Sequence, residues 1–237
     1  MLVRLDKFLT QAKVGSRSEV KNYIKKGLVL VNGQPALKPE TKIETEKDKV
    51  EYQGEELLEK KFVYYMLNKP KGVVSATTDQ LHPTVVSLIK EKYQEEVFPV
   101  GRLDKDTEGL LLLTNDGQLA HDLLSPKKHV DKTYYALIRG YVTKSDVEKF
   151  REGLDIGEKK TTMPADLHVL QAGDISEIQV TICEGKFHQV KRMFQAVEKE
   201  VVYLKRISMG KLKLDRNLQP GEYRQLSESE IQILKEK

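Results

Sequence analysis

Cysteine occurs once in the 237 residues, at Cys183, so no disulfide can form within the chain. A disulfide-stapled scaffold is excluded, and a lone thiol suits a reducing cytosol. It lies in the alternating stretch "EIQVTIC" and reads as a small core residue. With one cysteine and five scattered histidines, no zinc-ligand spacing is present. Long apolar runs are missing too. Nothing approaches the ~20 residues that span a bilayer, and "MLVRLDKFL" lacks the continuous apolar region of a secretion signal. There is no Gly-rich phosphate loop, so a nucleotide cofactor is not indicated. Internal repeats and low-complexity tracts are absent as well. An excess of either charge is lacking overall: 40 Lys/Arg against 36 Asp/Glu leave a net value of +4, a weak argument for an anionic partner.

What is present is unevenly spread. The hydrophobic content of 39% supports a core, and 32% charged residues make a polar surface. Residues 1–38 hold eight Lys/Arg against two acids, whereas residues 39–60 hold four against eight. A basic patch followed by an acidic segment suggests a small binding module joined to something larger.

In the first part, Leu5, Phe8, Leu9 and Ala12 recur at helical spacing. "SRSE" reads as a capping box, with Ser16 the N-cap and Glu19 reaching back, and Gly27 closes this second helix. "LVLVNG" reads as a strand ending in an Asn-Gly hairpin turn. Val20 and Ile24 face the core, while Arg17, Lys21 and Lys25 form a basic stripe. Like charges four apart weaken an isolated helix, a cost that a phosphate backbone would relieve. Residues 51–61, "EYQGEELLEKK", read as a linker.

From residue 62 strands and helices alternate irregularly. "KFVYYMLNKP", "GLLLLTNDG", "KTYYALIRGYV", "EIQVTICEGK", "VVYLKRISMG" and "EYRQL" read as strands; "TVVSLIKEKY", "QLAHDLLSP", "TKSDVEKFREGL" and "FHQVKRMFQAV" read as helices. Strands that follow one another directly favour an antiparallel or mixed sheet with helices, an α+β fold, over a doubly wound parallel one.

The chemistry concentrates in "GRLDKDTEGLLLLTNDG", residues 101–117, where Asp104, Asp106 and Glu108 crowd together. Asp104 could brace a loop, share a metal with its neighbours, or act as nucleophile or base. A metal would need several carboxylates converging on one ion, and "DKDTE" lacks the calcium-loop glycine spacing. A working carboxylate in a partly dry cleft needs a nearby cation to stay ionised. Arg102, Lys191 and Arg192 are available, and spacing alone does not choose among them.

"GRLD", then "KTY", then "EGKFHQVKRMF" resemble the pseudouridine synthases, and more narrowly the ribosomal small-subunit pseudouridine synthase A family. "LNKPKGVVS" at 67–75, "HPTV" at 82–85 and "LKRISMGKLKLDRNLQPGEYRQL" at 204–226 agree. "RLDKFL…SRSEVKNYIKKGLVLVNG" resembles the ribosomal-protein-S4-type RNA-binding domain, a helix pair followed by a small sheet. The resemblance implies an S4-type domain with its linker over residues 1–60 and a synthase domain with a mixed, mainly antiparallel sheet over 61–237. It implies an isomerase that detaches uracil at N1, turns it and rejoins it to the ribose through C5, with no metal, nucleotide or redox cofactor.

Asp104 falls on the family's catalytic aspartate, Lys191 on the cation set against it, and Tyr134 on the tyrosine that lies against the target base. His188 and Gln189 are read as orienting the helix and its cation. Arg102 is placed to fill the space of an extruded nucleotide. Lys69, Lys71 and Arg192, with Arg17, Lys21 and Lys25, are read as RNA contacts. Lys191 stands where large-subunit enzymes tend to carry arginine. The expected substrate is therefore one uridine of 16S rRNA, modified in the cytoplasm by a monomer, with free rRNA and an assembling small subunit both open as its form. A 23S rRNA enzyme, a non-catalytic assembly factor and a metal-dependent nuclease are the competing readings.

Overall fold

A computed structural model describes residues 2–12, 14–45, 47–57, 62–90, 96–125 and 128–236. The chain divides into two compact units, Met1–Lys61 and Phe62–Lys237.

In the first unit, β1 (Leu2–Arg4) leads into α1 (Leu5–Gln11), and α2 (Arg17–Lys25) follows. The start of α2 is fixed by sequence: Ser16 accepts from the Glu19 amide, and the Glu19 carboxylate accepts from the Ser16 amide. β2 (Val29–Val31) turns through Asn32 and Gly33, both at positive φ, into β3 (Gln34–Pro35). β4 (Lys42–Glu44) pairs with β1, and β5 (Val50–Tyr52) pairs with β2. Leu5, Phe8, Leu9, Val20, Ile24, Val29, Ile43 and Val50 form a separate core.

The segment read as a linker is in part folded. Residues 50–57 form a hairpin of β5 and β6 (Glu55–Leu57), turned by Gln53 and Gly54 at positive φ. Its facing acids Glu51 and Glu56 are bridged by Lys49, at 3.2 and 3.6 Å. This contact lets an acidic stretch pair as strands. Residues 58–61 lie outside the described residues.

The second unit is built on a nine-stranded sheet. Its strands in chain order are β7 (Tyr64–Lys69), β8 (Phe98–Pro99), β9 (Glu108–Thr114), β10 (Lys132–Arg139), β11 (Asp166–Gln171), β12 (Ile175–Ile182), β13 (Glu200–Met209), β14 (Leu212–Lys213) and β15 (Tyr223–Gln225). Spatial order along the main path is β11-β12-β10-β13-β9-β7-β15. The β9–β13 pairing is parallel and the other strand pairings are antiparallel. This is the expected mixed, mainly antiparallel sheet.

Helices α3 (Gly117–Leu124), α4 (Lys144–Glu152), α5 (Gln189–Ala196) and α6 (Glu228–Lys235) pack on it. Alternation decides the faces. Tyr134, Ala136 and Ile138 of β10 join Ile178 and Val180 of β12 in one core with Phe150 of α4 and Phe194 of α5. Tyr64 and Met66 of β7 and Leu110 and Leu112 of β9 form a second core with α3 and α6.

A helix reading is corrected. "TVVSLIKEKY" yields only a 3-10 turn, Val86–Leu88, because Ile89 is already extended and residues 91–95 lie outside the described residues. β11 and α6 escape a pattern reading: β11 is an edge strand with exposed alternate residues, and α6 announces itself only through the Ser227–Glu230 capping box.

Candidate active site

The loop before β9 is held from below by Lys69. β7 pairs with β9 so that Lys69 lies opposite Gly109, and its side chain is fully buried. The ammonium donates to the carbonyls of Pro70 (3.0 Å), Lys105 (3.3 Å) and Thr107 (2.8 Å). Burial pulls its pKa down to about 8, against the opposing charges of Asp106, Glu108 and Asp104. Ser75 clamps the next turn, accepting from the Leu103 amide at 3.0 Å and donating to the Leu103 carbonyl at 2.9 Å. The Thr107 amide donates to the Asp104 carbonyl, closing the turn that presents Asp104.

The opposing wall is the start of α5. His188 takes a left-handed conformation, φ 49°, and the helix begins at Gln189. Buried Gln189 fixes this corner: its amide oxygen accepts from the Lys186 N–H, and its amide nitrogen donates to Glu184. Val190, Met193 and Phe194 bury the inner face of α5, leaving Lys191 aimed at the loop.

Lys191 Nζ lies 3.0 Å from Asp104 Oδ2 and 2.6 Å from Asp106 Oδ1. His188 Nε2 is 3.5 Å from Asp104 Oδ1. Burial alone would lower the Lys191 pKa, but the hydrogen bonds and charges of the two carboxylates outweigh it and leave it raised. Burial would raise Asp106, and Lys191 outweighs that in turn, leaving Asp106 lowered. Glu108 turns away and accepts from the Tyr203 hydroxyl at 2.6 Å. Glu108 therefore parts from the two acids that share Lys191, and among the described residues no group of three His, Cys, Asp or Glu side chains could hold a metal.

Tyr134 stands on β10 opposite Val180 and Arg206, 7% exposed, and lines the same cavity as Asp104, Lys191 and Leu204. Its hydroxyl has no hydrogen-bond partner among the described residues.

The other candidates separate. Arg102 is exposed at the cavity rim without a partner among the described residues, and Lys71 is exposed on the turn whose Gly72 amide donates to the Lys105 carbonyl. Arg17, Lys21 and Lys25 are exposed on α2 as the stripe requires. Lys69 is corrected: buried and bound to three carbonyls, it braces the Asp104 loop and offers no donor to a phosphate. Arg192 is also corrected. Its guanidinium is engaged by Glu158 and by the carbonyls of Phe187 and Ile156, so it fixes the α5 corner. Two participants were undervalued from sequence. Asp106, weighed as a metal-sharing neighbour of Asp104, makes the shorter contact to Lys191, and His188, read as orienting α5, reaches Asp104 itself. The "DKD" spacing was the available signal for Asp106.

The RNA pseudouridylate synthase family model matches residues 63–196, and the S4 domain model matches residues 3–50. An RNA pseudouridine synthase of Bacillus subtilis, itself uncharacterized, is 48% identical, with 99% of each chain covered. The ribosomal small subunit pseudouridine synthase A of Escherichia coli K12 is 41% identical, covering 97% of this chain and 98% of its own. That of Vibrio vulnificus is 42% identical at the same coverage. A pseudouridylate synthase crystal structure superposes with a TM-score of 0.71 at 38% identity, over 98% of this chain and 99% of its own. The chain belongs to the RNA pseudouridine synthases, in the ribosomal small-subunit pseudouridine synthase A family. It is an isomerase acting on RNA, with an S4 domain ahead of its catalytic unit.

Proposed function

We propose that this enzyme converts a single uridine of 16S rRNA to pseudouridine, with Asp104 as the reacting carboxylate. The observation that carries the assignment is the placement of Asp104 between Lys191 at 3.0 Å and His188 at 3.5 Å, in one cavity with Tyr134. The N1–C1′ bond breaks and a C5–C1′ bond forms, while C5 gives up a proton and N1 gains one. Attack at C1′, addition to the base and removal of a ribose proton all require the carboxylate anion, which Lys191 supports.

Tyr134 holds the detached uracil by its ring, and its unpaired hydroxyl is placed to assist removal of the C5 proton. Arg102 occupies the space the extruded nucleotide leaves. Lys71 and the α2 stripe contact phosphates, which set register and affinity without reading bases. An rRNA substrate places the enzyme in the cytoplasm, and it works as a monomer.

Support for the 16S target comes from full-length similarity to enzymes named for the small ribosomal subunit. Carbodiimide primer-extension mapping of both rRNAs from a deletion strain tests it. One stop should vanish from 16S rRNA and return with the wild-type gene but not with Asp104→Asn. A vanished stop in 23S rRNA would overturn the small-subunit target, and restoration by Asp104→Asn would overturn the carboxylate's role.

A further inference from the structure

Phe187 is 73% exposed although it adjoins the buried machinery of α5. Its ring stacks on the His188 imidazole, centroids 3.8 Å apart and planes at 17°. The backbone beneath is fixed, with Arg192 donating to the Phe187 carbonyl at 3.2 Å and Gln189 accepting from the Lys186 amide at 2.9 Å. An apolar ring is thus held in solvent by a rigid corner, with one face against His188.

Phe187 also lines a cavity of about 410 Å³ that shares Arg102, Asp104 and His188 with the catalytic cavity. Arg102 is a cation on its rim with no partner among the described residues, and Lys105 Nζ stands at another edge, 3.3 Å from His82 Nε2. An aromatic face beside cations, next to a carboxylate that acts on RNA, matches how unpaired bases are held: the ring takes the base and the cations take the flanking phosphates.

We infer that Phe187 is a stacking platform for the nucleobase next to the target uridine. When the target leaves the helix, both neighbours lose a stacking partner; Arg102 takes one and Phe187 takes the other. The base presses on Phe187, Phe187 lies on His188, and His188 touches Asp104. The neighbour is thus seated on a corner that is already fixed without it. Stacking has no donor–acceptor code, so this subsite tolerates any base and depends on the ring being there.

The inference rests on RNA as substrate but not on the 16S assignment. The probe is a short synthetic hairpin spanning the uridine mapped above, whichever rRNA carries it. The chain contains no tryptophan, so Phe187→Trp in the full chain gives a single tryptophan, excited to the red of the ten tyrosines. Hairpin binding should quench it, and an abasic nucleotide at one position flanking the uridine should abolish the quench. Phe187→Ala should raise KM about tenfold, the size of one lost base stack, with kcat unchanged and Phe187→Tyr close to wild type. At this exposure the alanine variant should melt as the parent does.

A quench that no abasic substitution alters, or a wild-type KM in Phe187→Ala, overturns the platform. Failure of the wild-type enzyme to modify 16S transcripts overturns the 16S target instead, and the platform is then tested on the 23S hairpin.

Discussion

Lys191 binds Asp106 more closely than it binds Asp104, at 2.6 Å against 3.0 Å. The cation is thus held by one carboxylate while it supports another.

Replacing Lys191 with Met should abolish turnover, and Arg should retain more than Met because it keeps the charge. The acid limb of stability should also move. The folded-state pKa of Asp106 lies below its ordinary value of 3.8. Its contact therefore contributes stability that is full above that value and lost as pH falls through the lower folded value. In Lys191→Met the hydrogen bond and charge that most lower Asp106 are gone, so the variant should be less stable above the ordinary carboxylate value and should lose less as pH falls, its melts converging with those of the parent in acid. Thermal melts across the acid range with single-turnover rates check both points, and equal activity in the two variants would show that charge at 191 does not matter.

Lys69 makes stability and activity respond oppositely to alkali. Its folded pKa is about 8 and its ordinary value 10.5, so between them the unfolded chain holds more protons and stability should rise with pH. Over the same window the neutral amine is a weaker donor to the Lys105 and Thr107 carbonyls, so turnover should fall as the Asp104 loop loosens. Lys69→Met should lack this alkaline limb and should cost about 3 kcal/mol, because buried carbonyls lose their donor. Paired pH–rate and pH–melting curves would refute the brace if wild-type and Met profiles are parallel.

Gly109 is where the parallel strands meet. Its φ is +99°, and a Cβ there would stand 2.2 Å from the Arg206 carbonyl oxygen and 2.8 Å from its nitrogen. Both atoms are backbone, so no rotamer change relieves the clash. Gly109→Ala should destabilise by about 2–4 kcal/mol, with the Asp104 loop displaced. An unchanged melting temperature would mean that the β9–β13 contact is looser than the geometry states.

The α2 stripe should act on affinity alone. With Arg17, Lys21 and Lys25 all changed to Gln, the log–log salt slope of rRNA binding should fall by up to roughly 2–3, while kcat at saturating RNA holds. Filter binding across a salt series gives the slope, and an unchanged slope would remove this helix from the RNA contact.

Local patterning determined much of this protein. The Ser16–Glu19 capping box, the Asn32–Gly33 turn and the alternation of β10 and β12 depend on neighbours in sequence, and the folded chain shows each as the residues imply. The motifs around Asp104, Tyr134 and Lys191 named the family. Sequence could not assign partners to cations, because ion pairing is set in three dimensions. Lys69 and Lys71 flank one proline, yet one is buried beneath the catalytic loop and the other is exposed. Strand pairing put Lys69 beside Gly109 and so beneath the Asp104 turn, and the buried face of α5 aimed Lys191 at two acids. Charge and motif were written locally, but which carboxylate each cation meets depends on the register of strands far apart in the chain, and only the tertiary structure fixes that register.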